Sequence, residues 1–182
     1  MRRLTLVRHA HAKVEVAPLT DFERPLSRRG KAEAKATAAQ LLAAELIPDL
    51  LITSPARRTL QTAEIIAQEL QMPERHVRRD EALYLAEPDT ILKIIHATGP
   101  RIGHLMIVGH NPGVSMLADA LAPAAQLGEF ATGSACTMQI EAQQWSAVRA
   151  GCGASAERKA GGAGILGLLR RPRRKLAGAR TR

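Results

Sequence analysis

Short apolar runs recur along the chain at residues 4–7, 50–53 and 105–108. They lack the regular polar alternation of a half-exposed strand, so they are typical of parallel strands that are covered on both faces. A further strand is predicted at residues 135–140. The chain therefore supplies at least four candidate strands for one buried sheet.

The stretches between these runs have helical periodicity, with apolar faces around residues 34–42, 63–70, 91–95 and 114–121. Ser27 is placed to cap the first helix. Ser54 is placed to cap the second helix, with Pro55 in its first turn. Pro88 and Pro112 mark the beginnings of the third and fourth helices.

Alternating strands and helices predict an α/β fold, because parallel strands need crossover helices between them. The expected architecture is a three-layer α/β/α sandwich with a mainly parallel sheet. A chain of 182 residues suits a single domain, which we place at residues 1–150. Residues 151–182 are rich in Gly, Ala, Arg and Lys, and we expect them to form a partly disordered basic tail.

The formal net charge of +9 is distributed unevenly. Residues 157–182 hold nine of the 26 Lys and Arg residues and one of the 17 acidic residues, so the preceding part is nearly neutral. A nearly neutral domain attracts a polyanion weakly, and two Phe, one Tyr and one Trp are too few to stack a series of bases. Nucleic acid is therefore not the expected partner, and a phosphate- or nucleic-acid-binding module that uses the basic tail is the non-enzyme alternative.

Cysteine content and the length of the apolar runs bear on the cellular compartment. Cys136 and Cys152 cannot form a disulfide framework, which is usual in a reducing compartment. No apolar run approaches the roughly 20 residues of a transmembrane helix, and Arg8 and His9 interrupt the only stretch that resembles a signal peptide. We expect a cytoplasmic monomer without a membrane partner.

Reactive and cationic residues follow three of the predicted strands at their carboxyl ends. Arg8 and His9 follow the first strand, Ser54 and Arg58 follow the second, and His110 follows the third. Open α/β sheets bind ligands at this edge. Three segments that are distant in sequence are therefore expected to form one site.

Paired arginines and histidines favour chemistry on a phosphoryl group. Guanidinium groups match the geometry of phosphate oxygens and stay ionised at any working pH. A neutral imidazole can attack phosphorus and hold the phosphoryl group covalently, while a second one donates to an equatorial oxygen. Chemistry of this kind requires no metal and no cofactor, and we predict neither.

The motifs that contain these residues resemble those of a known enzyme family. L-V-R-H-A at residues 6–10, S-P-A-R-R-T-L-Q-T-A-E at 54–64 and V-G-H-N-P at 108–112 resemble the three signatures of the histidine phosphatase superfamily. The short chain and L-S-R-R-G at residues 26–30 are most similar to the SixA-type phosphohistidine phosphatases.

The resemblance implies a phosphoglycerate mutase-like fold and a covalent phosphohistidine enzyme intermediate. It implies that His9 is the nucleophile and that Arg8, Arg58 and His110 form the phosphate pocket. The implied substrate is phosphohistidine on a signalling or phosphotransfer protein. A small phosphate ester is the alternative substrate.

No motif of this resemblance assigns a general acid. Members that cleave esters use a glutamate to protonate the alcohol, and Glu81 is our candidate among four acidic residues in the corresponding region: Asp80, Glu81, Glu87 and Asp89. Imidazole leaves more easily than an alkoxide, since the free side chain is already half neutral near pH ~6.5. A poorly placed acid therefore favours phosphohistidine over an ester.

Other polar residues near the motifs have structural as well as functional interpretations. Ser54 is interpreted as a helix cap whose hydroxyl group can also contact substrate. Asn111 is interpreted as a cap that orients His110, or as a substrate ligand. His11 is expected either to line the pocket entrance or simply to be exposed. A zinc site that combines His11 with His9 and His110 is an open alternative, although no Asp, Glu or Cys motif completes its ligand set.

Overall fold

The structure, a computed structural model, describes residues 1–14 and 18–159. Six strands form one sheet: β1 Arg2–Arg8, β2 Leu50–Thr53, β3 Val77–Arg79, β4 His104–Gly109, β5 Ala135–Ile140 and β6 Gly153–Lys159. Their spatial order is β3-β2-β4-β1-β5-β6. All four strands predicted from the apolar pattern are therefore present.

Four α-helices connect these strands: α1 Arg28–Ala43, α2 Arg57–Glu69, α3 Pro88–His96 and α4 Gly113–Leu121. Short 3₁₀ turns occupy Glu74–His76, Glu81–Leu83, Pro123–Ala125 and Trp145–Ala147. The predicted α/β alternation is confirmed. Within the described ranges, no helix combines the length and the apolar character needed to cross a membrane.

The sheet is mixed, so the expectation of a mainly parallel sheet holds for four of the six strands only. β3, β2, β4 and β1 are parallel neighbours, whereas β5 runs antiparallel to β1 and β6 runs antiparallel to β5. After α4, residues 122–134 return the chain to the edge at which α4 begins, since Phe130 N donates to Ser115 Oγ. β5 therefore starts where the parallel strands end.

Alternate residues of the strands face two different apolar clusters. Leu4 and Leu6 pack in a cluster with residues of α3 and α4. Val7 packs in a second cluster with residues of α1 and α2. The central strand β4 is buried along its whole length, as its continuous apolar sequence predicts.

Two strands lie where the apolar pattern gave no signal. β3 is a short Val-Arg-Arg segment at one edge of the sheet, and β6 lies at the opposite edge. β6 occupies Gly153–Lys159, inside the segment that was expected to be a basic tail, so the sheet continues beyond residue 150. Backbone pairing with β5 compensates for the weak apolar content of this strand. The rest of the expected tail, residues 160–182, lies outside the described residues.

The helix caps agree with the prediction in one case and differ in another. The Ser27 side chain caps α1, as predicted. α2 begins at Arg57, and Ala56 stands at its N-cap without a side-chain cap, so the predicted capping by Ser54 is wrong. The Ser54 hydroxyl group is instead bonded to the ring of His110.

Gly30 allows the first turn of α1 to contact the segment that follows β1. A Cβ atom at residue 30 would lie 2.0 Å from the carbonyl oxygen of His11. The same carbonyl accepts a hydrogen bond from Ser27 N at 3.0 Å, so the two segments are held together at this point. Only a residue without a side chain fits here.

We predict that Gly30→Ala destabilises the protein. Overpacking a tight contact costs about 1–3 kcal/mol, which exceeds the gain of about 1 kcal/mol in helix propensity. Gly99→Ala is the matched control, because nothing lies within 4 Å of a Cβ atom at that position. Urea denaturation should give a lower free energy of unfolding for Gly30→Ala than for Gly99→Ala, and equal values would contradict this account.

Candidate active site

The carboxyl ends of three neighbouring strands meet at one level of the sheet. Arg8 at the end of β1 is paired in register with Gly109 at the end of β4. Thr53 at the end of β2 is paired with Val108. The residues that follow these positions therefore enter the same space, as the sequence predicted.

His9 is held with its Nε2 lone pair facing a guanidinium group. Its Nδ1 atom lies 2.8 Å from the carbonyl oxygen of Ala10. A carbonyl oxygen can only accept, so Nδ1 carries the proton and Nε2 carries the lone pair. Arg58 Nε donates to this Nε2 atom over 3.3 Å.

His110 is oriented by a buried serine and by the same arginine. Arg58 Nη2 lies 3.3 Å from His110 Nδ1. Because a guanidinium nitrogen can only donate, Nδ1 is the acceptor and Nε2 donates to Ser54 Oγ at 2.7 Å. The rings of His9 and His110 are 5.3 Å apart between centroids. The structure thus brings His9, Arg58 and His110 into direct contact.

Arg58 is fixed by Asp21, a residue that the sequence analysis did not single out. Arg58 Nη1 donates to the Asp21 carbonyl oxygen, and Arg58 Nη2 forms an ion pair with Asp21 Oδ2 at 2.9 Å. Arg58 is only 3% exposed, so this buried cation needs a partner of opposite charge. Its Nε atom and one Nη2 hydrogen remain directed at the two imidazoles.

Asp21 itself is held by Arg24 and Tyr84. Arg24 Nη1 lies 2.8 Å from Asp21 Oδ1, and the Tyr84 hydroxyl group donates to Asp21 Oδ2 at 3.0 Å. Burial tends to raise the pKa of Asp21, but the hydrogen bonds from Arg24, Tyr84 and Arg58 outweigh it and lower the pKa. The sequence signals were weak: a charge pair three residues apart, and the single tyrosine of the chain.

Both imidazoles of the site are neutral at physiological pH. Burial lowers the pKa of His9 to about 4, and the charges of Arg58 and Arg8 act in the same direction against the hydrogen bond to Ala10. Burial also lowers the pKa of His110 to about 3, with further lowering by His9 and Arg58. His9 therefore has a lone pair available for nucleophilic attack.

Arg8 lies beside the imidazoles of His9 and His110, and one of its N–H donors has no hydrogen-bond partner. Its Nη1 atom donates to the carbonyl oxygen of Phe130 and lies 3.6 Å from Glu129 Oε1. In the part of the chain that the structure describes, Arg8 Nε is the one buried side-chain nitrogen or oxygen without a hydrogen-bond partner. Buried donors normally have partners, so an anion that enters the site would satisfy this group.

The loop before β5 supports the segment that carries Arg8 and His9. Arg8 N donates to the carbonyl oxygen of Ser134, and Gly133 N donates to that of His9, both at 3.0 Å. Asn111 joins this loop, because its Nδ2 donates to the carbonyl oxygen of Phe130 at 3.1 Å. Asn111 Oδ1 accepts from Ser115 Oγ at 2.7 Å, so the side chain is structurally engaged rather than a backbone cap.

Glu81 and His11 lie outside the cluster of contacting residues. The Glu81 side chain is 69% exposed and pairs with Arg79 at 3.0 Å. It lines a cleft of about 450 Å³ together with Phe22 and Arg57. The ring of His11 bonds Ser27 Oγ at 2.8 Å. Among the described residues, no group of three or more His, Cys, Asp or Glu side chains is arranged to hold a metal ion.

We predict that the buried histidines make stability sensitive to acid. Their pKa values in the folded protein, about 4 for His9 and about 3 for His110, lie below the ordinary 6.5. Between these values the unfolded chain binds more protons, so stability falls as the pH drops below about 6.5 toward about 4. The Tm should fall less steeply over this window in a His9→Gln/His110→Gln variant, and equal slopes would contradict the assignment.

Comparisons with known proteins identify the family. The sequence profile described as the histidine phosphatase superfamily (branch 1) matches residues 4–84, which contain the first two motifs. The third motif, at residues 108–112, lies beyond that match. An uncharacterized protein from Mycobacterium tuberculosis is 32% identical over 145 residues, which cover 75% of this chain and 88% of that protein.

Solved structures give the same result. A crystal structure from Agrobacterium tumefaciens, assigned as the phosphohistidine phosphatase SixA, has a TM-score of 0.70 at 28% identity, covering 76% of this chain and 92% of its own. A mycobacterial glucosyl-3-phosphoglycerate phosphatase shares the fold, with a TM-score of 0.61 at 18% identity over 81% of this chain and 95% of its own. With its two N-terminal motifs in the matched profile and this structural similarity, the chain belongs to the histidine phosphatase superfamily, in the SixA-type branch.

Proposed function

We propose that this protein is a phosphatase that hydrolyses phosphohistidine on a signalling or phosphotransfer protein through a covalent intermediate on His9. One observation carries the proposal: the lone pair of a neutral His9 Nε2 faces the Arg58 guanidinium group, which also contacts His110. A nucleophile and a fixed cation thus share the space in which a phosphoryl group would bind.

In the first step, His9 Nε2 attacks phosphorus in line with the bond to the substrate imidazole. The new N–P bond forms with the His9 lone pair, and the electron pair of the broken P–N bond stays on the substrate nitrogen, which leaves as neutral imidazole because the other nitrogen of that ring carries a proton. The hydrogen bond from His9 Nδ1 to Ala10 supports the positive charge that develops on the ring. In the second step, water attacks phosphorus, the electron pair of the P–N bond returns to His9 Nε2, and the water protons leave with inorganic phosphate, which restores neutral His9.

Cationic and donor groups stabilise the charge on the transferring phosphoryl group. The Arg58 hydrogens that face the two imidazoles, together with the unpartnered Arg8 Nε, are donors for its oxygens. The dianion favours a proton on His110 Nδ1, which then donates as well, while Ser54 keeps the other nitrogen in place. Fixed charges of this kind can supply the stabilisation without a metal or a cofactor.

Phosphohistidine suits this site better than an alkyl ester. Glu81, our candidate general acid, is exposed and pairs with Arg79 rather than with either imidazole. Imidazole needs less help from an acid than an alkoxide does. The similarity to a protein assigned as a phosphohistidine phosphatase supports the same substrate class. We further propose that the protein is a cytoplasmic monomer. We also propose a three-layer α/β/α arrangement, and the two apolar clusters support this arrangement.

We predict faster turnover of a phosphohistidine peptide than of an aryl phosphate, measured as kcat/KM by phosphate release. His9→Ala should abolish turnover of both, because it removes the attacking nitrogen. Asp49→Asn is the control for handling and folding. It changes a carboxylate that accepts a hydrogen bond from His104 N at the start of β4. Faster turnover of the aryl phosphate would move the substrate to small esters, and inhibition by a chelator would refute the metal-free mechanism.

We predict that a chain ending at Lys159 keeps phosphatase activity. This truncation preserves β6, whereas removal of residues 157–159 would break its pairing with β5. If the protein is instead a nucleic-acid-binding module led by the basic tail, binding of an oligonucleotide will be lost with residues 160–182 and will weaken with salt. A folded but inactive truncated protein would show that the tail contributes to the site.

A further inference from the structure

A groove rich in cations adjoins the candidate active site. It has a volume of about 470 Å³ and is lined by four cations, Lys13, Arg28, Lys31 and Arg57. Pro25, Leu26 and Gln61 complete the lining. We call this surface the basic groove. The four cations come from the segment after β1, the first turn of α1 and the start of α2. No acidic residue lines it among those described.

The four cations of the basic groove are exposed and form no ion pairs with the described residues, although the charge of Arg57 acts on Glu23 at longer range. All four side chains are exposed, and none forms an ion pair with a described carboxylate. Their neighbours differ: Arg24 pairs with Asp21 at 2.8 Å, and Arg29 pairs with Glu33 at 2.7 Å. The positive charge of the groove is therefore available to a binding partner.

The basic groove is connected to the candidate active site through adjoining residues. Arg57 immediately precedes Arg58 on α2. Arg24 bonds Asp21 through Nη1 and the Lys13 carbonyl oxygen through Nε at 2.8 Å. A macromolecule that presents a phosphorylated side chain to His9 would therefore extend its neighbouring residues toward the groove.

We propose that the basic groove binds acidic residues that flank the phosphohistidine of the protein substrate. This inference rests on the proposed function and specifies the substrate as a protein with a carboxylate-rich surface beside its phosphohistidine. Lys and Arg side chains attract carboxylates over a distance and orient the encounter, an effect that salt screens. The groove would therefore lower KM more than it raises kcat.

The lining favours a protein over a nucleic acid. No aromatic side chain lines the groove, so bases would find no stacking surface. Val14, next to Lys13, is 76% exposed, and such an apolar side chain suits contact with a folded or peptide partner. The occupant we propose is accordingly an acidic protein segment.

The test is a double charge reversal, Arg28→Glu/Lys31→Glu. Glutamate is compatible with the first turn of α1, where negative charge is favourable. The matched control is Arg75→Glu/Arg101→Glu, which makes the same change in net charge. Both control residues are exposed. Arg75 precedes β3 and Arg101 precedes β4, so both lie near the amino ends of these strands, whereas the site lies at the carboxyl ends. Thermal unfolding checks that all variants are folded.

Binding is measured by fluorescence anisotropy with a glutamate-rich peptide that contains histidine, and with a matched peptide in which glutamine replaces glutamate. The groove variant should raise the Kd for the acidic peptide by about tenfold at low salt, whereas the control should stay close to the wild type. Unchanged affinity in the groove variant would overturn the proposal. The proposal would also be overturned if an oligonucleotide with the same charge bound the wild type as tightly as the acidic peptide does and lost that affinity in the groove variant.

Kinetics with the phosphorylated forms of both peptides separate this proposal from the proposed function. A lower KM for the acidic phosphohistidine peptide than for the neutral one, lost in the groove variant, would support both. Equal turnover of the two peptides by the wild type would overturn the groove and leave the phosphatase function intact. Groove-dependent binding without turnover of either peptide would refute the phosphohistidine substrate and leave the groove supported.

Discussion

The candidate site depends on the guanidinium group of Arg58, which Asp21 holds in place. Asp21 accepts hydrogen bonds from both terminal nitrogens of Arg58, while Nε and the second hydrogen of Nη2 face His9 and His110. Burial keeps both imidazoles neutral and the cation acts in the same direction, while the contact between Arg58 and Asp21 sets the orientation of the guanidinium group and the local charge. Loss of Asp21 would leave a buried charge without a partner, which proteins tolerate poorly.

Much of the site could be predicted because its residues follow strands that are easy to recognise. His9, Ser54 and His110 come directly after strands β1, β2 and β4, and parallel strands bring their carboxyl ends to one side of the sheet. Asp21 and Tyr84 could not be predicted in this way, since they lie in a loop and after a 3₁₀ turn and meet only through tertiary packing. Their local sequence indicates exposure as readily as a role in the site.

The same contrast explains what was predicted of the fold. Strands β1, β2, β4 and β5 have apolar sequences that burial dictates, whereas β3 and β6 lie at the edges of the sheet, where one backbone side has no strand partner among the described residues. Edge strands carry charged and small residues without losing their pairing. Composition therefore assigned Gly153–Lys159 to a tail, although hydrogen bonds to β5 place it in the sheet.

The reversed direction of β5 has a consequence for how the nucleophile is supported. A strand parallel to β1 would receive its incoming loop at the far edge of the sheet, remote from His9. Because β5 runs the other way, the peptide groups of Phe130, Gly133 and Ser134 arrive beside β1 and bond Arg8 and His9. A single antiparallel strand thus lets main-chain groups of the preceding loop, rather than further side chains, hold the reactive segment.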